Sequence, residues 1–168
     1  MSDKSLAQGL GTITSIEEKD NFETRPVGPM TGEGGGRKGI SQMLGMLSGH
    51  DSMEGYRVVT TEHELLILID NQSSCCESWG HVASDDDLAS FVGSDLLEVR
   101  LTDTALNQVI IDKHGCAEYG FDEGGIQFVD LVTSRGKLQL AVYNAHNGYY
   151  GHGIVVALDA KPLHEDTL

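Results

Sequence analysis

Two polar clusters hold most of the side chains in this chain that could do chemistry. The first runs from Asn71 to His81 (NQSSCCESWGH) and the second from Tyr143 to His152 (YNAHNGYYGH). Together they contain the only Trp, two of the three Cys and three of the seven His. Each directly follows an apolar run typical of a strand, and loops at strand ends are where binding and catalytic residues concentrate. The two clusters are therefore the predicted site.

Adjacent thiols at Cys75 and Cys76 suggest two kinds of catalysis. A nucleophilic thiol, assisted by His146 or another of the clustered histidines, would need a lowered pKa. A zinc site built from Cys76, His146 and His152 is the metal alternative, although adjacent cysteines lack the spacing of a Cys-x-x-Cys pair. Free Cys is also among the most buried residue types, so one thiol in the core and one in a loop is the structural alternative. No cofactor is expected.

Aromatic, amide and imidazole side chains in the same clusters suit ligand binding better than proton transfer. Aromatic rings could stack a flat ligand, and amides could hydrogen-bond its polar edge. The predicted binding residues are Trp79, His81, Asn144, His146, Asn147, Tyr149, Tyr150 and His152. The Asn147-Gly148 pair is also a strong turn signal, which predicts a tight β connection between strands at Lys137–Tyr143 and Gly153–Leu158.

A glycine-rich segment, Gly34–Gly39, carries the basic residues Arg37 and Lys38. It fits Gly-x-Gly-x-x-Gly literally, but the dinucleotide fingerprint also requires a preceding strand, which is missing. Exposed amides at the start of a helix, beside Arg37 and Lys38, could still bind an anion. The structural alternative is a flexible basic loop.

The pattern of apolar residues predicts an α+β fold with a mostly antiparallel sheet of five to six strands and two short helices. The strands are predicted at Tyr56–Thr61, Glu64–Asp70, Leu96–Asp103, Ile126–Ser134, Lys137–Tyr143 and Ile154–Leu158, with a further short strand at Gly11–Ile16. The helices are predicted at Ile40–Leu47 and Ser84–Gly93, and residues 112–125 are predicted to form a loop.

Two of these elements are predicted in detail. The helix after Ser84 would use Ser84 as its N-cap, place Asp85, Asp86 and Asp87 in its first turn and end at Gly93. In the strand at 96–103, alternation predicts that Leu97, Val99 and Leu101 face the core.

Composition divides the chain into an arm or long loop at 1–39, a single domain at 40–160 and a frayed tail at 161–168. Three Cys do not indicate a disulfide framework, which predicts a reducing cytoplasmic location. No apolar stretch approaches membrane length, so no membrane partner is expected.

The formal net charge is −15, from 26 acidic and 11 basic residues. Such a surface repels a phosphate backbone, which argues against direct nucleic-acid binding. The charge could instead imitate nucleic acid toward a basic protein, steer cations or simply favour solubility.

Three motifs together resemble a known family. They are Ser74-Cys75-Cys76-Glu77-x-Trp79-Gly80, the segment 102–107 (TDTALN) and the second polar cluster. Between about Gln42 and Val156 the chain is similar to small phage and prophage proteins classed as a domain of unknown function, DUF7448. The resemblance implies a viral or prophage origin more than an activity, although it favours an action against host machinery, and it assigns no catalytic role to any residue.

These observations predict a non-enzymatic phage-derived binding module in the host cytoplasm. It would capture a nucleotide-like small molecule or inhibit a host defence protein. A metal-dependent or Cys/His hydrolase is the first alternative, and an acidic nucleic-acid mimic is the second. Edge strands also predict a homo-oligomer.

Overall fold

The computed structural model describes residues 3–23, 52–72, 77–114, 124–146 and 148–168. This part of the chain forms ten β-strands, one α-helix and one short 3₁₀ helix. In chain order the strands are β1 (Lys4–Gln8), β2 (Ile13–Glu23), β3 (Ser52–Thr60), β4 (Glu64–Asp70), β5 (Glu77–Ala83), β6 (Leu96–Thr102), β7 (Gly125–Thr133), β8 (Gly136–His146), β9 (Gly153–Leu158) and β10 (Lys161–Thr167). The 3₁₀ helix is Leu88–Phe91, and the α-helix, α1, is Gln108–His114.

The strands form two antiparallel sheets of five strands each. Sheet I has the order β1-β6-β7-β8-β5, and sheet II has the order β10-β9-β4-β3-β2. One core joins the two sheets, because buried side chains of β6, β7 and β8 pack with those of β3, β4 and β9. The described chain is therefore a mostly-β protein, and the prediction of an α+β fold with two helices was wrong.

Strand β4 has the residue range that the sequence predicted, and it lies at the centre of sheet II. Leu65, Ile67 and Ile69 point into the core between the sheets, whereas Leu66 and Leu68 are buried on the other face of sheet II. A strand buried on both faces needs a continuous apolar run rather than an alternating one. The strands predicted at Ile126–Ser134 and Lys137–Tyr143 are also present, as β7 and β8, and they form a hairpin with its turn at Ser134-Arg135.

The helix predicted at Ser84–Gly93 is wrong in its start and its capping. Only Leu88–Phe91 is helical, and Asp87 precedes it without a side-chain cap hydrogen bond. The Ser84 hydroxyl instead accepts a hydrogen bond from the Gln139 amide of β8. Gly93 does adopt positive φ, at +83°. The aspartates therefore lie in a loop before the helix, and the other predicted helix, Ile40–Leu47, lies outside the described residues.

Strand β6 contains a bulge that the alternation pattern did not reveal. Its register against β7 shifts between Leu96 and Glu98, and Leu97 is 48% exposed. Val99 and Leu101 are buried as predicted. An extra residue in one strand turns the following side chains to the other face, so Leu97 leaves the core.

Helix α1 and strands β1 and β10 lie where the sequence predicted irregular structure, and β2 extends beyond the short strand predicted at Gly11–Ile16. Helix α1 spans residues 108–114, so its C-terminal end overlaps the start of the loop predicted at 112–125. Its side chains Ile110 and Ile111 cover the outer face of sheet I. In the predicted arm, β1 and β2 are edge strands, and the predicted tail contains edge strand β10. An edge strand pairs on one side only and tolerates polar residues, so its hydrophobic signal is weak.

The turn between β9 and β10 contributes one member of an ion pair that makes the stability of the fold depend on pH. Asp159 contacts His63 Nδ1 at 2.5 Å and accepts a hydrogen bond from the Glu64 amide at 2.9 Å. Burial alone would raise the pKa of Asp159, but these hydrogen bonds and the nearby positive charges of His63 and Lys161 outweigh it, so the pKa is lowered. A carboxyl with a lowered folded-state pKa stabilises the fold above its unfolded pKa and loses that contribution as pH falls.

We therefore expect Asp159→Asn to lower the free energy of unfolding by less than about 1 kcal/mol at pH 6, because the Asp159–His63 pair is partly exposed. The difference from the unmodified protein should vanish as the pH falls through the folded-state pKa of Asp159. Urea unfolding between pH 3 and pH 6 would measure it. Asp87→Asn is the matched control, since Asp87 is exposed and makes no side-chain cap hydrogen bond. A pH-independent loss in Asp159→Asn would contradict the expectation.

Candidate functional site

The two polar clusters meet in space where β5 pairs with β8. Glu77 lies opposite His146, and Trp79 lies opposite Asn144. Trp79 packs against the core between the sheets. Since side chains alternate along a strand, Glu77, Trp79 and His81 share this inward face. We call the resulting group of side chains, completed by Asn144, His146 and His152, the polar layer.

Each cluster also carries the chain from one sheet to the other. The first connects β4 of sheet II to β5 of sheet I, and the second connects β8 of sheet I to β9 of sheet II. The predicted tight β connection between Lys137–Tyr143 and Gly153–Leu158 was therefore wrong, because these strands do not pair. In addition, β8 continues through Asn144 to His146, so the second polar cluster begins inside a strand.

His152 is fully engaged by the surrounding protein. Its Nδ1 lies 2.6 Å from the carbonyl oxygen of Asp70, and its Nε2 lies 2.9 Å from Oε2 of Glu77. The side chains of His152 and Glu77 are 3% and 1% exposed. Trp79 stacks on the imidazole, with ring centroids 5.0 Å apart and planes at 27°. Both ring nitrogens therefore lie within hydrogen-bonding distance of protein oxygen atoms.

Asn144 and His146 hold the second connection in place. Asn144 is fully buried, and its Nδ2 donates to the carbonyl oxygens of Tyr150 (2.7 Å) and Leu168 (2.8 Å). Within the part of the chain that the structure describes, Asn144 Oδ1 has no hydrogen-bond partner. His146 is 7% exposed, and its Nδ1 accepts a hydrogen bond from the Gly148 amide. These contacts give both predicted site residues a structural role.

His81 links the two sheets at the opposite end of β5. Its Nδ1 lies 3.1 Å from Oε1 of Glu54, and its Nε2 lies 2.8 Å from Oε1 of Glu18. The ring also makes an edge contact with Tyr56, at 5.0 Å between centroids. Burial raises the pKa of Glu54, with His81 acting in the opposite direction. Burial, followed by the charge of Glu18, raises the pKa of Tyr56, which stays a neutral phenol.

A cavity of about 190 Å³ opens beside His81, and we call it the His81 cavity. Tyr56 and His81 line it together with the carboxylate residues Glu18, Asp85 and Asp86. Sequence reasoning missed Glu18, Glu54 and Tyr56 as site residues, because strands β2 and β3 carry no motif. The signal available was the run of aspartates after β5, which we assigned to a helix terminus instead.

A second cavity, of about 510 Å³, lies between edge strands β1 and β10. Lys4, Asp3, Asp166 and His164 are among its lining residues. None of them belongs to a polar cluster, so this opening is separate from the predicted site.

The remaining predicted site residues are placed as follows. Tyr149 is 82% exposed and makes an edge contact with Tyr150, with centroids 6.5 Å apart. Cys75, Cys76, Asn147, Arg37 and Lys38 lie outside the described residues. Among the described residues, no group of three or more His, Cys, Asp or Glu side chains is placed to hold a metal ion.

No helix in the described ranges is long and apolar enough to cross a membrane. The fold and the site define a two-sheet antiparallel β-protein with a largely buried polar layer and an acidic cavity beside His81. The chain belongs to the family described as a domain of unknown function (DUF7448), whose sequence profile matches residues 12–156. The match begins well before Gln42, inside the segment predicted as an arm. Neither curated proteins nor solved structures give a match.

Proposed function

We propose that this chain is a non-enzymatic binding module whose partner is a host protein. The observation that supports it best is the engagement of the imidazoles. His152 and His81 each have both ring nitrogens against oxygen acceptors of the protein, and His146 Nδ1 accepts a backbone hydrogen bond. A general base needs a free ring nitrogen within reach of the substrate proton. The polar layer is thus suited to holding the two sheets together rather than to proton transfer.

The charge of the His81 cavity favours a protein partner over a nucleotide-like ligand. Glu18, Asp85 and Asp86 line it, and phosphate groups would be repelled by these carboxylates. The net charge of −15 acts in the same direction over longer distances and would steer a basic partner toward the surface. The phage or prophage origin suggested by the sequence motifs would make a defence protein of the bacterial host a suitable partner.

The hydrolase alternative depends on Cys75 and Cys76, which makes it separable by mutation. The double variant Cys75→Ser/Cys76→Ser removes a thiol nucleophile and the zinc ligand proposed at Cys76. A binding module should retain its partner in this variant, whereas a thiol or zinc hydrolase should lose its activity.

Native mass spectrometry of both proteins, expressed in bacterial cytosol, is the test. We expect the same protein partner at fixed stoichiometry on each, and Kd values within twofold when the partner is purified and titrated. Stoichiometric zinc, a hydrolytic activity that the double variant lacks, or the absence of any saturable partner would each contradict the proposed function.

A further inference from the structure

We propose that the His81 cavity binds an organic cation, namely a guanidinium or ammonium group carried on an apolar stem. The inference rests on the proposed function and deepens it, because a basic side chain of the partner would supply this group. It is argued from the charge, the hydrogen-bonding capacity and the shape of the cavity.

The charge of the cavity is negative even when its one imidazole is counted as a cation. Glu18, Asp85 and Asp86 line it, and Glu54 contacts Nδ1 of His81. None of the described lining residues is Lys or Arg. The three lining carboxylates alone, against one imidazolium, leave an excess of negative charge, which a bound cation would neutralise.

Tyr56 provides an independent hydrogen-bonding group for a ligand in the cavity. It lines the cavity, it is only 2% exposed, and its hydroxyl makes no hydrogen bond to any residue in the described ranges. The hydroxyl oxygen is not among the fully buried polar atoms that lack a partner, so it opens to the cavity, where water or a ligand can satisfy it. Its oxygen can accept a hydrogen bond from a guanidinium or ammonium N–H, in addition to those accepted by the carboxylates.

The walls of the cavity suit the apolar stem of such a group. Val82, Leu88 and Ile110 line it beside the carboxylates, and about 190 Å³ is room for several non-hydrogen atoms. A long basic side chain has this character, with methylene groups that pack on apolar surface and a charged end. A bare metal ion fits less well, because no group of three ligating side chains is assembled for it among the described residues.

The same chemistry could come from a free amine or from an Arg or Lys side chain of a protein. Isothermal titration of the full chain with agmatine tests the site itself, and titration with acetyl-Gly-Arg-Gly-amide tests a peptide-borne side chain. N-butylurea, a neutral molecule of similar shape, controls for charge. We expect agmatine to bind at least tenfold more tightly than N-butylurea, and the peptide to bind at least as tightly as agmatine.

Three variants report on the cavity and one serves as a matched control. Glu18→Gln and Asp86→Asn should each weaken agmatine binding at least fivefold, and Tyr56→Phe should weaken it two- to fivefold. Glu165→Gln removes an exposed carboxylate of β10 outside the cavity and should leave binding unchanged. Circular dichroism would verify that each variant is folded, and the surface variant Asp86→Asn keeps the test decisive if Tyr56→Phe unfolds.

Equal binding of agmatine and N-butylurea, or equal losses in Glu165→Gln and Asp86→Asn, would overturn the proposed site. If agmatine fails but a host protein is still captured, and Glu18→Gln does not affect that capture, the cation site is wrong while the proposed function stands. If agmatine binds as expected but the chain captures no protein, the cation site stands as a small-amine site and the proposed function is wrong.

Discussion

Replacing Glu77 with alanine is expected to lower the free energy of unfolding by about 3–5 kcal/mol. Glu77 pairs with His152 in a site where both side chains are almost completely buried. Removing one member of a buried ion pair leaves the other charge without compensation in a medium that solvates it poorly. The His152 imidazole would also lose one of its two hydrogen-bonding partners. It would then be held less firmly in the position where it stacks on Trp79.

Urea denaturation of Glu77→Ala, followed by fluorescence of the single Trp, measures this loss. Glu165→Ala is the matched control, because the same atoms are removed from an exposed position on β10 and should cost less than about 0.5 kcal/mol. Glu77→Gln should fall between the two, since it keeps an acceptor and removes the charge. A loss in Glu77→Ala no larger than in the control would show that the pair does not hold the two clusters together.

The second large effect is expected at Gly55, where strand β3 approaches β4 too closely for any side chain. Gly55 has φ of +140°, and a Cβ atom built there would overlap the carbonyl oxygen of Ile67. An L-residue pays about 1–3 kcal/mol for the backbone conformation. The overlap with rigid backbone adds a comparable amount, because relief requires β3 to move away from its neighbour. We expect Gly55→Ala to cost about 4 kcal/mol in total.

Gly136→Ala separates these two contributions. Gly136 has a similar φ of +132°, and nothing lies within 4 Å of a Cβ atom built there. We expect it to cost about 2 kcal/mol, from the backbone conformation alone. Thermal and urea unfolding of both variants give the comparison, and equal losses at the two positions would contradict the close approach between β3 and β4.

How far the sequence predicts this fold depends on where each strand lies within its sheet. Strands β4, β7 and β8 have neighbours on both sides, and their buried residues produce apolar patterns that are readable from sequence. Strands β1, β2 and β10 lie at sheet edges and carry polar residues, so the sequence predicted only the start of β2 and neither β1 nor β10. The bulge at Leu97 leaves no compositional trace at all.

The sequence indicated which residue types the candidate site contains, but not which of its residues contact each other. The sequence identified Trp79, Asn144 and His152, and the structure brings them into one layer. The sequence could not identify the acidic partners of His81. Glu18 and Glu54 are separated from His81 by 63 and 27 residues and belong to the other sheet. Such contacts depend on how two sheets are stacked, which local periodicity does not report.

Sheet II also has a consequence for the order in which the chain can fold during synthesis. Strand β4 pairs with β9 through Leu65 and Leu158, so its second neighbour leaves the ribosome roughly 90 residues after it does. At about 5–20 residues per second, that interval lasts roughly 5–18 s. During this time the run of five consecutive aliphatic residues in β4 has unpaired backbone groups along one edge. An uncharged apolar strand with an exposed edge is a recognised aggregation hazard. Slowing translation between β4 and β9 should therefore lower the yield of soluble protein, and a holdase chaperone supplied during synthesis should restore it.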